Sequence, residues 1–304
     1  MLGQTGLHSE MGKVVVGSGW WCDGKCHDWA IGSPFIRSVA FFDIWYRQIV
    51  RCLNPDRIVI TDSASPMKPD YRSYPIEWIE LDRNYGHPND IRTGRIHTKY
   101  SGFTRTVISG AMYALCCDAD FYIYVEQDCL LRGDDFLRHA LGDTTLDILL
   151  GAPTENGKGR DGGIAASMLQ QSLLIVRRAG LERFLAGLLG APWTDGELSP
   201  EEIMRQQLAP FELVQVPYGR SRPIDFDRRH FYAEHLDDDE FRRFLTCIGI
   251  DPPLSFIRSL TSGTAMRPIK SYAQRLWNPL RRHRYIAANG FPALQDIGCR
   301  RDRA

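Results

Sequence analysis

The chain has 304 residues, and its 37 basic and 37 acidic side chains cancel to a formal net charge of zero. Hydrophobic residues make up 43% and charged residues 24%, which excludes a disordered chain, a collagen-like chain and a disulfide-dense mini-protein, and argues against nucleic acid as a partner. The neutrality is uneven: residues 251–304 carry ten Lys/Arg against three acids, so the body that precedes them is acidic.

Residues 1–12 are polar and Gly-containing and are expected to form a flexible leader, with Met11 as an alternative start. No basic segment followed by an apolar one marks a signal peptide, and no run approaches the ~18 apolar residues of a membrane span. Eight Cys without such a signal read as reduced thiols, so a cytoplasmic protein is expected. Lys13–Val16 reads as a buried strand that opens into a loop at Gly17-Ser18-Gly19. Ser33-Pro34 starts a helix, with Phe35, Val39, Phe42, Tyr46 and Ile49 at helical spacing, and Asn54-Pro55 stops it. Arg57–Thr61 is a second strand, closed by Asp62-Ser63-Ala64-Ser65-Pro66. Strand, helix and strand in this order form a βαβ unit and predict a parallel sheet.

Ile76–Leu81 is a third candidate strand, followed by a polar stretch to Ser101 and a helix over Thr104–Cys116. Asp120–Val125 is an aromatic and β-branched strand that ends abruptly in Glu126-Gln127-Asp128. Further strands are expected at Asp147–Leu150, Gln171–Val176 and Glu212–Val216. Helices are expected at Gly180–Leu189, after the capping box at Ser199, and over Asp237–Thr246.

The acidic turn is the most informative local feature. Two carboxylates one residue apart follow an apolar strand, at the edge where open α/β sheets bind ligands. Mg²⁺ typically takes one or two carboxylates together with substrate phosphates, and Glu126 and Asp128 fit that pattern. A solvated strand-to-loop turn is the plain alternative.

With the order of elements before it, this motif resembles the nucleotide-sugar glycosyltransferases of the GT-A fold. In that family the first two strands bind the nucleoside, and an Asp-x-Asp motif holds a divalent metal on the diphosphate. Here Glu126 stands in place of the first Asp. The resemblance implies an α/β architecture: a Rossmann-type mixed, mainly parallel sheet flanked by helices over 13–250, with a basic C-terminal helical extension over 251–304. It implies transfer of a sugar from a nucleotide-diphosphate donor to a glycan or glycolipid acceptor, assisted by Mn²⁺ or Mg²⁺. Gly17, Ser18 and Asp62 match the positions that contact the nucleoside, although Asp62 is equally readable as an Asx-turn residue. Lys99 and Arg105, near a helix N-terminus, match diphosphate contacts. His235 matches the late His that completes the metal site, with His230 as its competitor. Asp161 or Glu155, in the Gly-rich segment 154–163, would take the acceptor's proton. Arg220 and Arg222 would close over the diphosphate and donor sugar.

Gly157-Lys158 fails as a P-loop, because Gly159 stands where Ser/Thr is required. Cys22 and Cys26 before His27 are one residue too far apart for haem attachment and lack a second pair for zinc. Trp20, Trp21 and Trp29 nearby either pack or line a sugar site. The extension mixes cations with Phe256, Ile257, Tyr272 and Trp277, a composition suited to the anionic inner face of a membrane, to the acidic body, or to an oligomer contact. Two other functions fit a similar chain. One is a sugar nucleotidyltransferase, disfavoured because no Arg precedes Lys25 after the first strand. The other is a non-catalytic carbohydrate-binding or assembly protein.

Overall fold

A computed structural model describes residues 12–25, 32–151, 169–214, 216 and 224–261. Glu155, Asp161, Arg220, Arg222, Cys26, His27, Trp29 and the extension beyond residue 261 lie outside the described residues. The chain divides into two units, Met1–Pro252 and Pro253–Ala304. Within the second, helix α8 spans Leu254–Thr261.

Strand β1 covers Val14–Trp20, so it does not open into a loop at Gly17 as the Gly-Ser-Gly signal suggests. The glycines there serve close packing instead of a turn. A Cβ on Gly17 would meet the Tyr122 ring at 2.7 Å, and one on Gly19 would meet Thr106 at 3.0 Å. The helix expected from Ser33 is also interrupted. Ser33 caps only a 3-10 turn, Pro34–Arg37, because Ser38 is extended; a second short turn then leads into α1, Phe42–Leu53. Asn54 ends α1 in the left-handed conformation, with its N–H bonded back to Val50.

Strand β2 (Arg57–Asp62) follows, then β3 (Glu77–Glu80), α2 (Pro88–Arg92) and α3 (Gly102–Cys116). Next come β4 (Phe121–Val125), β5 (Leu130–Arg132), α4 (Phe136–Leu141) and β6 (Ile148–Gly151). The remainder is β7 (Gln170–Arg177), α5 (Arg178–Gly190), α6 (Pro200–Gln207), β8 (Glu212–Leu213), β9 (Phe231–Ala233) and α7 (Asp238–Cys247). The sequence pattern missed β5, α4 and β9, which are too short to show periodicity.

Among the described residues, seven strands form one sheet in the order β3-β2-β1-β4-β7-β6-β8. Strand β7 alone runs against its neighbours. The architecture is therefore a mixed, mainly parallel α/β sheet flanked by helices. Strands buried on both faces explain the continuous apolar runs at Val14–Val16, Ile58–Ile60 and Phe121–Val125. Helix α3 packs on β1, β2 and β4, and α5 on α3 and β7. Val15, Val59, Val107, Ala111, Tyr122 and Phe184 share that core. Helix α1 packs against β5, which pairs antiparallel with β9 in a separate ribbon. No described helix is long and apolar enough to cross a membrane.

Tyr122 fixes the distance between α3 and the sheet. Its hydroxyl donates to the Val107 carbonyl at 3.0 Å, and a Cβ on Gly110 would lie 2.5 Å from that oxygen. Gly110→Ala gains helix propensity of about 1 kcal/mol but overpacks this site by about 1–3 kcal/mol. We predict a lower melting temperature for Gly110→Ala and partial recovery in Gly110→Ala/Tyr122→Phe. An unchanged melting temperature for the single variant would show that the ring moves aside without strain.

Candidate functional site

Strands β1 and β4 are parallel neighbours. The chain leaves β1 toward β2 on one side and returns to β4 on the other. Their carboxyl ends therefore form a topological switch point, where open α/β sheets place ligands. Gln127 joins the two ends: its side-chain oxygen accepts from Trp21 N–H at 2.7 Å, and its amide donates to the Trp21 carbonyl at 3.1 Å. The Glu126 backbone is held as well. Its N–H donates to Ser172 of β7 at 3.0 Å, and its carbonyl accepts from the Trp45 indole at 3.1 Å. With Gln127 committed to Trp21, the flanking Glu126 and Asp128 are presented at the edge.

The β5–β9 ribbon supplies the other half. Leu130 opposes Ala233, so Asp128, just before β5, lies across from Glu234 and His235, just after β9. His235 has φ 55°, in the left-handed region that non-glycine residues rarely adopt. Two contacts surround this conformation. Ser33 N–H donates to Leu236 O at 2.7 Å, and Gly32 lies so near that a Cβ would be 2.6 Å from the His235 carbonyl carbon. The Ser33-capped turn delivers Arg37, whose Nε and Nη2 both donate to Asp128 Oδ2, at 3.0 and 2.5 Å. His235 Nε2 lies 3.7 Å from the same oxygen, and its Nδ1 lies 3.5 Å from Glu234 Oε1.

Among the described residues, three carboxylates thus meet one permanent cation. Burial, then the charges of Asp128 and Glu234, pushes the Glu126 carboxyl well above its usual range, and Glu126 shares a hydrogen bond with Glu234. Burial alone would raise Asp128 too, but Arg37 and then His235 outweigh it and hold Asp128 below the usual carboxylate range. Asp128 and Glu234 are almost completely buried. One ligand atom each from Asp128, Glu234 and His235 lies within 4.8 Å of the others. Two carboxylate oxygens and an imidazole, with negative charge in excess, form a donor set that fits a divalent cation.

The structure brings Glu126, Asp128 and His235 together and adds two residues not anticipated from the sequence. Arg37 is a lone cation in the apolar run Phe35–Phe42, and Glu234 adjoins His235, but neither position shows by itself that it meets Asp128. His230 joins Asp135 at 2.5 Å instead. Asp62 is fully buried and forms an Asx turn: Oδ1 accepts from Ser65 N–H at 3.0 Å, while Lys68 lies 3.4 Å from Oδ2. Ser18 is buried within β1. Lys99 donates to Leu189 O at the end of α5, at 3.1 Å. Arg105 holds Tyr100 O and Thr98 Oγ1 and stacks on Tyr85, 3.6 Å from the ring centre. Both cations thus serve loop packing. Trp20 is buried, with its indole N–H on Met67 O at 3.0 Å, so it packs; Trp21 is half-buried.

No protein-family model matches the chain, and no curated protein sequence matches it. Among solved structures it is similar to the Pyrobaculum calidifontis mannosyltransferase PcManGT in complex with GDP-Man and Mn²⁺. That pair is 13% identical over 92% of this chain and 76% of the other, with a TM-score of 0.42. It is also similar to S. aureus TarS in complex with UDP, at 14% identity, 87% and 78% coverage, and a TM-score of 0.41. A third is the 4-diphosphocytidyl-2C-methyl-D-erythritol synthase of Anaerococcus prevotii DSM 20548, at 9% identity, 67% and 86% coverage, and a TM-score of 0.41.

Removing Arg37 leaves the buried Asp128 without the guanidinium paired with it, a loss of about 2–4 kcal/mol once the partial exposure of Arg37 is allowed for. Arg37→Ala is expected to melt several degrees lower in chelator, with Mn²⁺ recovering part of the loss. Glu126→Gln relieves like-charge repulsion and is expected to melt higher than wild type in chelator. Equal melting temperatures for all three proteins would mean that the cluster carries no electrostatic strain.

Proposed function

We propose that this protein is a nucleotide-sugar-dependent glycosyltransferase acting on a saccharide or glycoconjugate hydroxyl. One observation carries the reading: Glu126, Asp128, Glu234 and His235 gather at the β1/β4 switch point with one permanent cation among the described residues, Arg37. Such a site has the charge to accept a metal-bound diphosphate. The acid-x-acid motif after the fourth strand, read with the order of elements before it, supports the same assignment.

Asp128, Glu234 and His235 would hold a divalent ion, Mn²⁺ or Mg²⁺, whose chemistry when bound is to neutralise charge developing on a leaving diphosphate. Glu126 stands beside these ligands, its carboxyl pushed toward the neutral form by burial and by their charge. Gln127 and Trp45 keep the ligand-bearing turn at a fixed height relative to β1, which is the pre-organisation that charge stabilisation requires. Arg37 is placed to exchange Asp128 for a phosphate oxygen, since a guanidinium binds either in the same forked manner. Proton removal from the acceptor is assigned to Asp161 or Glu155, and closure over the donor to Arg220 and Arg222. A cytoplasmic location and contact of the basic extension with a membrane accompany this reading.

Thermal shift with UDP, GDP, CMP and TDP sugars, with and without Mn²⁺, tests it. One donor class is expected to raise the melting temperature by about 5 °C or more at a hundredfold excess over Kd, and only with metal. Asp128→Ala is expected to abolish that shift and to reduce transfer at least a hundredfold. Undiminished transfer in Asp128→Ala would overturn the metal site. Stabilisation by nucleoside triphosphates with pyrophosphate release would instead indicate a nucleotidyltransferase, and donor binding without turnover a binding protein.

A further inference from the structure

The β5–β9 ribbon has two ends, and only one meets the site described above. At the other end, about 10 Å away at 3.4 Å per residue, lies a second group of ligand-type side chains. Asp135 is the N-cap of α4, and His139 follows four residues later, so the two share one helix face. Arg132 opposes Phe231, and this register carries His230 to the same place from the other strand. His230 Nε2 lies 2.5 Å from Asp135 Oδ1, and His139 Nδ1 lies 3.4 Å from Asp135 Oδ2. The two imidazoles lie face to face, 3.5 Å between centres and 17° from parallel, so the half-exposed His139 ring has to turn for both in-plane lone pairs to meet one ion. One ligand atom from each of the three residues lies within 4.8 Å of the others.

The seat is shaped as well as charged. Gly133 has φ 118°, and a Cβ there would overlap the His230 ring, so the backbone leaves room for the imidazole that a side chain would fill. The His230 side chain is only 10% exposed, while His139 and Asp135 keep 45% and 38%. Arg229 reaches Asp135 Oδ1 at 3.5 Å but is 74% exposed, so it is readily displaced.

We propose that Asp135, His139 and His230 form a second metal site, selective for borderline transition-metal ions of the Zn²⁺ class. Two imidazoles and one carboxylate are a ligand set for Zn²⁺, which binds nitrogen at about 2.0–2.1 Å and carboxylate oxygen at about 2.0–2.2 Å. Nitrogen-majority ligation favours such ions over Mg²⁺, whereas the Asp128 group is mainly oxygen. Water completes the coordination on the exposed side. The bound ion ties α4 to the entry of β9 and so fixes the ribbon whose far end carries Glu234 and His235. This assignment is independent of the sugar-transfer reading.

The test uses the full chain after chelator treatment, titrated with Zn²⁺ alone by calorimetry and with Co²⁺ by absorbance. Asp128→Ala is expected to bind one equivalent with a Co²⁺ ligand-field band and a raised melting temperature. Wild type is expected to bind at least that equivalent, because the Asp128 group also takes such ions; the His variants are therefore compared in the Asp128→Ala background. His139→Gln, at a half-exposed position, is expected to keep its metal-free melting temperature but to bind Zn²⁺ at least about tenfold more weakly and to lose the band. His230→Gln is expected to match it, and tenfold excess Mg²⁺ is expected not to compete. Equal Zn²⁺ affinity in Asp128→Ala and in both His variants made in it, or loss of the band in Asp128→Ala alone, would overturn the proposal.

Discussion

One guanidinium among three carboxylates, two of them almost completely buried, governs the arrangement of the described residues at this edge. Asp128 is held ionised by Arg37, while Glu126 is driven toward its neutral form by burial and by its neighbours. Such a cluster is stable only where each charge has a fixed partner, and the surroundings supply that fixing. Arg37 comes from a turn capped by Ser33, and the same Ser33 backbone is bonded to Leu236, the residue after His235. The phenyl rings of Phe35 and Phe41 pack on Phe241 of α7, an apolar anchor behind the charged face. Segments about two hundred residues apart in sequence are thereby locked around one carboxylate oxygen.

The sheet supplies the other constraint. Parallel strands with buried faces leave their carboxyl ends as the place where polar groups can be exposed without breaking the core. Gln127 extends the pairing of β1 and β4 beyond their last ladder bonds by replacing a strand's N–H and C=O with its own amide. The middle residue of the acidic motif is therefore the one that joins the strands, while its neighbours engage Arg37 and Glu234.

Much of this was legible in the sequence because it follows from periodicity. The apolar runs of β1, β2 and β4, the amphipathic α7, and the acid-x-acid step after β4 all appear where composition places them. Two kinds of feature were not legible. Glycine is ambiguous: Gly17 and Gly19 read as a loop but serve close approach to Tyr122 and Thr106, which are distant in sequence. Long-range partnership is also invisible, because nothing local to Arg37 or Glu234 reveals that they meet Asp128. Lys99 and Arg105 show the reverse case. Their charge and position near a helix start suggested anion contacts; in the structure a carbonyl at the end of α5 engages Lys99, and the Tyr100 carbonyl, the Thr98 hydroxyl and the Tyr85 ring engage Arg105.

His235 carries a separate lesson about selection. A left-handed backbone suits glycine or asparagine, and any other side chain there costs about 1 kcal/mol or more. A sequence optimised for folding alone would place Gly or Asn at this position. An imidazole is nevertheless held in that conformation, pressed against Gly32 and beside Asp128 and Glu234, a sacrifice of stability for which the proposed metal site would account. Stability-guided redesign of this chain would replace that residue, and its product would fold better while losing the imidazole from the cluster.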